Sequence, residues 1–143
     1  MSTENNTQVV EKWFEALNAN DTDGLEQYRA PGYEFVAPTS QEPIGAAEET
    51  ASTKALHAAV SDVHYVANET VAQGDLVVVN GVMTGTNDGP YVLPDGTTFP
   101  ASGRPVTLPF SNTFKFANGK IVRNTLYYDM SGPMVQMGMT PET

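Results

Sequence analysis

The sequence predicts an α+β domain in which helices pack on one side of a curved, mostly antiparallel sheet. Three observations predict it. Apolar residues recur at helical spacing near the start of the chain, and from residue 63 onward the apolar period changes to two. In the last pair of strands, residues 110–116 and 120–130 around the turn Ala117-Asn118-Gly119, the first alternates with period two and the second is β-branched and aromatic. A strongly curved sheet wrapped over helices leaves a cone with an apolar interior, and cones of this kind hold small molecules.

Taken in order, residues 7–18 place Val9, Val10, Trp13, Phe14 and Leu17 on one stripe of an amphipathic helix. Asp21 or Thr22 caps a short second helix carrying Leu25 and Tyr28, which Ala30-Pro31-Gly32 stops. Residues 33–37 form a short strand closed by Pro38, and a loop through Gln41-Glu42-Pro43 leads to Gly45. A third helix covers residues 46–60, with Leu56 and Val60 inward. Strands follow at 63–71 and 76–86, split by the turn Ala72-Gln73-Gly74-Asp75. Residues 87–105, rich in glycine and proline and containing Pro94-Asp95-Gly96, form a loop or irregular hairpin at a pocket mouth, since strands resume at once. After the final hairpin Gly132-Pro133 breaks the sheet, and residues 134–138 make one amphipathic turn.

Composition limits the function classes. A chain of 143 residues suits a single domain, residues 1–143, able to bury a sizeable core. Seven basic against 17 acidic residues give a net charge of −10, which disfavours nucleic acid and anionic membranes. No segment approaches a membrane-spanning apolar run, and the polar start lacks a signal core, so a cytoplasmic location is expected. Zero cysteines exclude disulfides, thiolate catalysis and zinc-thiolate sites. Two histidines, His57 and His64, without a third and without spaced acids, argue against a metal site, and no glycine-rich phosphate loop supports a nucleotide, so no cofactor is expected.

Two polar residues stand out in the final hairpin. Asn112 is an amide on the apolar face formed by Phe110, Phe114 and Phe116, and Asp129 ends the last strand beside Tyr127 and Tyr128. A carboxyl buried among these aromatics would have its charged form desolvated and its pKa raised toward a useful range; a capping role through the following backbone amides is the competing reading. Asn112 is open to the competing reading of a satisfied core asparagine. Trp13, Tyr28, Phe35, Met83, Phe114 and Tyr127 are the expected core or walls around a substrate, and His57 either joins those walls or is a helix-end histidine bonded to a nearby carbonyl. His64 alternates with Val63 and Tyr65 and is expected to face out.

The segments Trp13-Phe14-Glu15-Ala16-Leu17-Asn18-Ala19-Asn20-Asp21, Leu56-His57-Ala58-Ala59, Gly74-Asp75-Leu76-Val77-Val78-Val79, Gly85-Thr86-Asn87-Asp88-Gly89, Gly103-Arg104-Pro105-Val106 and Gly119-Lys120-Ile121-Val122 through Tyr128-Asp129 to Met137-Gly138 resemble a SnoaL-like polyketide cyclase. That family lies in the nuclear transport factor 2-like superfamily of cone-shaped α+β barrels, with ketosteroid isomerase and limonene epoxide hydrolase. The resemblance implies that Asp129 falls where the epoxide hydrolases place a catalytic aspartate. It puts Asn112 where the isomerase holds a protonated aspartate that donates to the enolate oxygen. Departures are specific. Ala37 stands at the isomerase's proton-shuttling aspartate, Trp13 at its oxyanion tyrosine, and Asn87 where many cyclase-like members carry a histidine. The strand Val79-Asn80-Gly81-Val82-Met83 lacks the epoxide hydrolase's Arg-x-Asp pair.

The resulting expectation is a cofactor-independent cyclase or isomerase acting on a small, mostly apolar carbonyl compound. Asp129 would move the proton and Asn112 would hold the enolate oxygen. One alternative is a non-catalytic ligand-binding or dimerisation module. Another is an epoxide-opening cyclase, which needs a second carboxylate, with Glu34 the candidate in the first strand. The resemblance also implies a homodimer formed through sheet faces, with Val122 and Leu126 compatible with an outer surface.

Overall fold

A computed structural model describes residues 2–129 and Val135. Helix α1 spans Thr3–Asn18, a 3-10 turn spans Asp23–Tyr28, and strand β1 spans Arg29–Val36. Helix α2 (Ala46–Ala59) is followed by β2 (His64–Gln73), β3 (Leu76–Thr86), β4 (Tyr91–Val92), β5 (Thr98–Phe99), β6 (Pro105–Ala117) and β7 (Lys120–Tyr128). The main sheet runs β1-β7-β6-β3-β2, antiparallel except for the parallel β1/β7 pair, and β4 and β5 form a separate hairpin. The predicted α+β architecture, helices on a curved and mostly antiparallel sheet, is the one observed. The segments Gly132-Pro133 and 134–138 lie outside the described residues.

Three elements begin earlier than the sequence pattern indicates. Helix α1 starts at Thr3 because the Ser2 side chain accepts a hydrogen bond from the Asn5 amide, a cap upstream of the apolar stripe. Strand β1 starts at Arg29 and carries Ala30-Pro31-Gly32 through an irregularity between Arg29 and Glu34. As an edge strand it tolerates a proline there. Strand β6 starts at Pro105, upstream of Phe110↔Tyr128 where pairing with β7 begins, so both of its prolines lie where that side is unpaired.

Register shifts in β1/β7, β2/β3 and β6/β7 bend the sheet around α1. Its concave face carries alternate residues of β6, with Val106, Phe110, Asn112, Phe114 and Phe116 buried and Leu108 half-buried between the first two. Against them lie Val10, Trp13, Phe14 and Leu17 of α1. Phe114 is wholly buried between Trp13 and Phe14, its ring edge-on to theirs at 5.9 and 6.0 Å. Each such buried aromatic side chain contributes about 2–3 kcal/mol.

Residues 87–105 are pinned from inside the fold by Asn87, which is buried. Its amide donates to the carbonyls of Ala59 and Gly89, at 3.1 Å each, and its Oδ1 accepts from the Ser102 amide and hydroxyl at 2.9 and 2.8 Å. A Cβ on Gly89 would lie 2.1 Å from the Ala58 carbonyl oxygen, so only glycine lets the segment sit this close to the end of α2. The segment contributes Tyr91 and Leu93 to the wall of an internal cavity. Asn87→Ala removes all four of these side-chain hydrogen bonds, leaving the Ala59 carbonyl only the Gly89 amide, and is expected to cost about 3 kcal/mol, read as a lowered urea midpoint with unchanged m-value. An unchanged midpoint would show that the loop is held by other contacts.

Candidate functional site

Inside the cone is a cavity of about 380 Å³ with a largely apolar lining. Trp13, Phe14 and Leu17 of α1, Phe35 of β1, Leu56 of α2, Met83 of β3 and Phe110 of β6 supply aromatic and aliphatic wall. Polar groups gather in one corner, where Glu49 of α2, Asn112 of β6 and Asn124 of β7 reach the lining.

Glu49 is the hub of that corner and is 5% exposed. Arg29 Nη2 donates to its Oε1 at 2.7 Å, and the Tyr33 hydroxyl donates to the same oxygen at 2.6 Å. Asn124 Nδ2 donates to Oε2 at 3.4 Å. Asn112 Nδ2 in turn donates to Asn124 Oδ1 in a short contact, and to the Thr125 carbonyl at 3.1 Å. A carboxylate only accepts, so Glu49 makes Asn124 present its NH2, which leaves Asn124 Oδ1 to accept from Asn112. The ion pair thus fixes the direction of the amide chain. Both Asn112 amide hydrogens are committed, and what that residue has left is its Oδ1 acceptor.

Burial raises the Glu49 pKa above the ordinary carboxylate range, against the lowering effect of the Tyr33 hydroxyl and then Arg29. Burial works against the Arg29 charge too, but Glu49 more than offsets it and the guanidinium stays above its usual value. The guanidinium also lies over the rings of Trp13 and Tyr33, 5.4 and 5.0 Å from their centroids.

Of the residues singled out by sequence, Asn112, Trp13, Phe35 and Met83 line the cavity, as does Ala37. Asp129 does not. Strand alternation turns Asn124, Leu126 and Tyr128 inward, so Tyr127 faces out at 62% exposure, and Asp129, one residue past β7, is also exposed. The expected desolvated carboxyl is therefore not at Asp129, and Tyr127 is not a wall residue. Leu126, read as compatible with the outer face, lines the cavity instead. The register shift between Lys115 and Phe116 is the physical reason, because it moves the inward set of β7 by one residue. Tyr28 packs partly buried against the core while Leu25 reaches the cavity, and Phe114 is core behind Trp13 and Phe14.

Glu34 is exposed, 3.7 Å from Arg123 on β7, and supplies no second acid to the cavity. His57 is buried, with Nδ1 2.8 Å from Asn20 Oδ1 and Nε2 3.1 Å from the Tyr65 hydroxyl, so it stands behind the wall formed by Tyr65. His64 is exposed, as its alternation requires. Arg104 donates to the Val135 carbonyl at 3.2 Å. Among the described residues no group of His, Cys, Asp and Glu could hold a metal ion, and no helix is long and apolar enough to cross a membrane.

Sequence reasoning missed Glu49, Arg29 and Asn124. A signal existed for the first: Glu49 precedes Leu56 by seven residues and so shares its inward face on α2.

This fold and cavity agree with comparison to known proteins. The SnoaL-like domain pattern matches residues 10–124. The chain belongs to the SnoaL-like domain family. AclR of Streptomyces galilaeus, provisionally assigned as a hydroxylase, superposes with a TM-score of 0.84 at 18% identity, over 99% of this chain and 86% of that one. A protein of Jannaschia sp. CCS1, provisionally assigned as a SnoaL-like polyketide cyclase, gives 0.82 at 23% identity over 97% and 95%. IdmH of Streptomyces antibioticus, provisionally a polyketide cyclase, gives 0.76 at 23% identity over 93% and 98%. At these identities the likeness is one of fold, which is nuclear transport factor 2-like. No curated protein matches this sequence.

Arg29→Met leaves Glu49 buried without its cation and is expected to cost about 3–5 kcal/mol near pH 8. Loss of the guanidinium raises the carboxyl pKa further. A group raised in the fold contributes stability that is present below its unfolded pKa and lost as pH rises through the folded value, so the deficit shrinks toward about pH 5. Urea unfolding at the two pH values reads this directly, and equal deficits at both would contradict it.

Proposed function

We propose that this SnoaL-like domain is a cofactor-independent enzyme of the cyclase or isomerase type, acting on a small, mostly apolar, polyketide-like carbonyl compound. The observation that carries this reading is a buried acid of raised pKa, Glu49, at the polar corner of an otherwise apolar cavity. A carboxyl tuned upward by burial can take a proton from carbon and return it near neutral pH. Glu49 replaces Asp129 in that role. The apolar walls would fold the substrate so that its reacting carbons meet, where proximity supplies much of the rate. Action in the cytoplasm, and a homodimer using the outer sheet face where Val66, Val71 and Leu76 are exposed, belong to the same reading.

A second reading, a binding module without catalysis, is favoured by one feature. As a carboxylate Glu49 only accepts, from Arg29 and Tyr33, and both Asn112 amide hydrogens are committed, so neither offers a donor to an enolate oxygen.

The two readings part on hydrogen exchange. With 2-tetralone in heavy water, followed by proton NMR, the wild-type protein should accelerate loss of the α-proton signals, and Glu49→Gln should slow it by roughly a hundredfold while still binding the ketone. Binding without accelerated exchange in the wild type would leave the module reading standing alone.

A further inference from the structure

We propose that Asn20, His57 and Tyr65 form a proton relay that opens into the cavity at the Tyr65 hydroxyl and takes a proton from an enolic or phenolic O–H of the bound compound. The inference rests on the enzymatic reading above and narrows its substrate class to carbonyl compounds that also carry an acidic O–H. Glu49 handles the proton on carbon in that scheme, and the relay handles the proton on oxygen.

The relay's direction follows from its chemistry. Asn20 Oδ1 can only accept, so the His57 nitrogen 2.8 Å away, Nδ1, carries the hydrogen. In neutral imidazole Nε2 is then bare and accepts from the Tyr65 hydroxyl at 3.1 Å. Burial lowers the His57 pKa, which keeps the ring neutral, and raises that of Tyr65, to which the charge of Glu49 adds. Tyr65 therefore points its only proton away from the ligand. What it can offer toward the cavity is oxygen lone pairs.

Asn20 is built for its position. It follows α1 with φ of 57°, in the left-handed region that asparagine adopts more readily than most residues. The neighbouring Asn18 ties α1 to β2 from the same turn, accepting from the Tyr65 amide at 2.7 Å and donating to the Tyr65 carbonyl at 3.0 Å. The end of α1 thus fixes both the backbone of Tyr65 and the tautomer of the histidine behind it. Asn20 is exposed, so the hydrogen-bonded chain reaches from the cavity wall to the protein surface, while the proton itself goes no further than His57.

In the step itself the substrate O–H breaks and its electron pair stays on the substrate oxygen. The proton joins the Tyr65 oxygen as the Tyr65 O–H breaks and its proton joins His57 Nε2. His57 becomes an imidazolium held by Asn20, and Tyr65 ends neutral. Reversal returns the proton to the alkoxide left by ring closure, so no co-reactant is required.

Two measurements test this. Nitrogen-15 NMR of the ligand-free protein should show His57 protonated on Nδ1 and bare on Nε2, with Tyr65→Phe shifting the Nε2 resonance. Asn20→Gly, which keeps the left-handed backbone, should erase the tautomer preference while leaving the protein folded. A hydrogen on Nε2 overturns the relay whatever the protein binds. The second probe is 2-naphthol, whose neutral and ionised forms absorb differently. Near pH 8 pairing of the naphtholate with the His57 imidazolium through Tyr65 has to outweigh the desolvation that burial imposes on both, and the bound naphtholate fraction should then exceed that of free naphthol by roughly tenfold. Tyr65→Phe and His57→Gln should both remove that excess; at lower pH His57→Gln should leave binding of neutral naphthol in place, and Tyr65→Phe should weaken it only by the few-fold that one lost hydrogen bond accounts for. An excess that survives Tyr65→Phe overturns the relay but leaves the enzymatic reading intact. Failure of neutral naphthol to enter the wild-type cavity strikes at the cavity reading instead, and the relay is then decided by the histidine tautomer.

Discussion

The hydrogen bond between Arg29 and Glu49 is the interaction on which the interior of this domain depends. Both side chains are nearly removed from water, at 2% and 6% exposure, and an ion pair so placed is stable only when the remaining donors and acceptors are also met. The fold meets most of them by bringing five elements to one point. Tyr33 of β1 and Asn124 of β7 donate to the carboxylate, Thr50 of α2 accepts from Arg29, and Trp13 of α1 and Tyr33 offer ring faces to the guanidinium. Asn112 of β6 closes the chain through Asn124. Arg29 Nε is left without a hydrogen-bond partner among the described residues. Such a cluster is a poor way to gain stability compared with apolar packing, which points to what it does for the cavity.

Its effect there is polarity with a direction. Arg29 holds the charge of Glu49, Glu49 orients Asn124, and Asn124 orients Asn112, so the corner turns acceptors toward a mainly hydrocarbon space. On the neighbouring wall Tyr65 is turned the same way by His57. Two titratable groups whose surroundings push them in opposite directions, Glu49 upward and His57 downward, line or back one cavity. The proposed ligands, with an acidic hydrogen and an apolar body, are chosen to match this lining.

The fold was largely legible in the chain because it rests on period. The α1 stripe through Trp13 and Leu17 and the alternation of Phe110, Asn112, Phe114 and Phe116 are local patterns that tertiary structure preserved. Element starts were less legible, because a cap at Ser2 and edge positions for Pro31 and Pro105 depend on neighbours that periodicity does not reveal. The site was legible in part. Asn112 betrayed itself as an amide in an apolar stripe. Asp129 misled because the inward parity of β7 depends on the register shift opposite Lys115 and Phe116, a property of the pair and not of either strand. Arg29, Glu49 and Asn124 are far apart in sequence, and only the parallel β1/β7 pairing and the packing of α2 against β1 bring them together.

The most direct measurement is a carbon-detected NMR titration of the Glu49 carboxyl in the folded protein, assigned against Glu49→Gln. A pKa above the ordinary glutamate range is the predicted result, because burial outweighs Arg29 and Tyr33. A value at or below that range would mean an ordinary, fully stabilised carboxylate, and would contradict the role given to Glu49 as the acid that the cavity is built around.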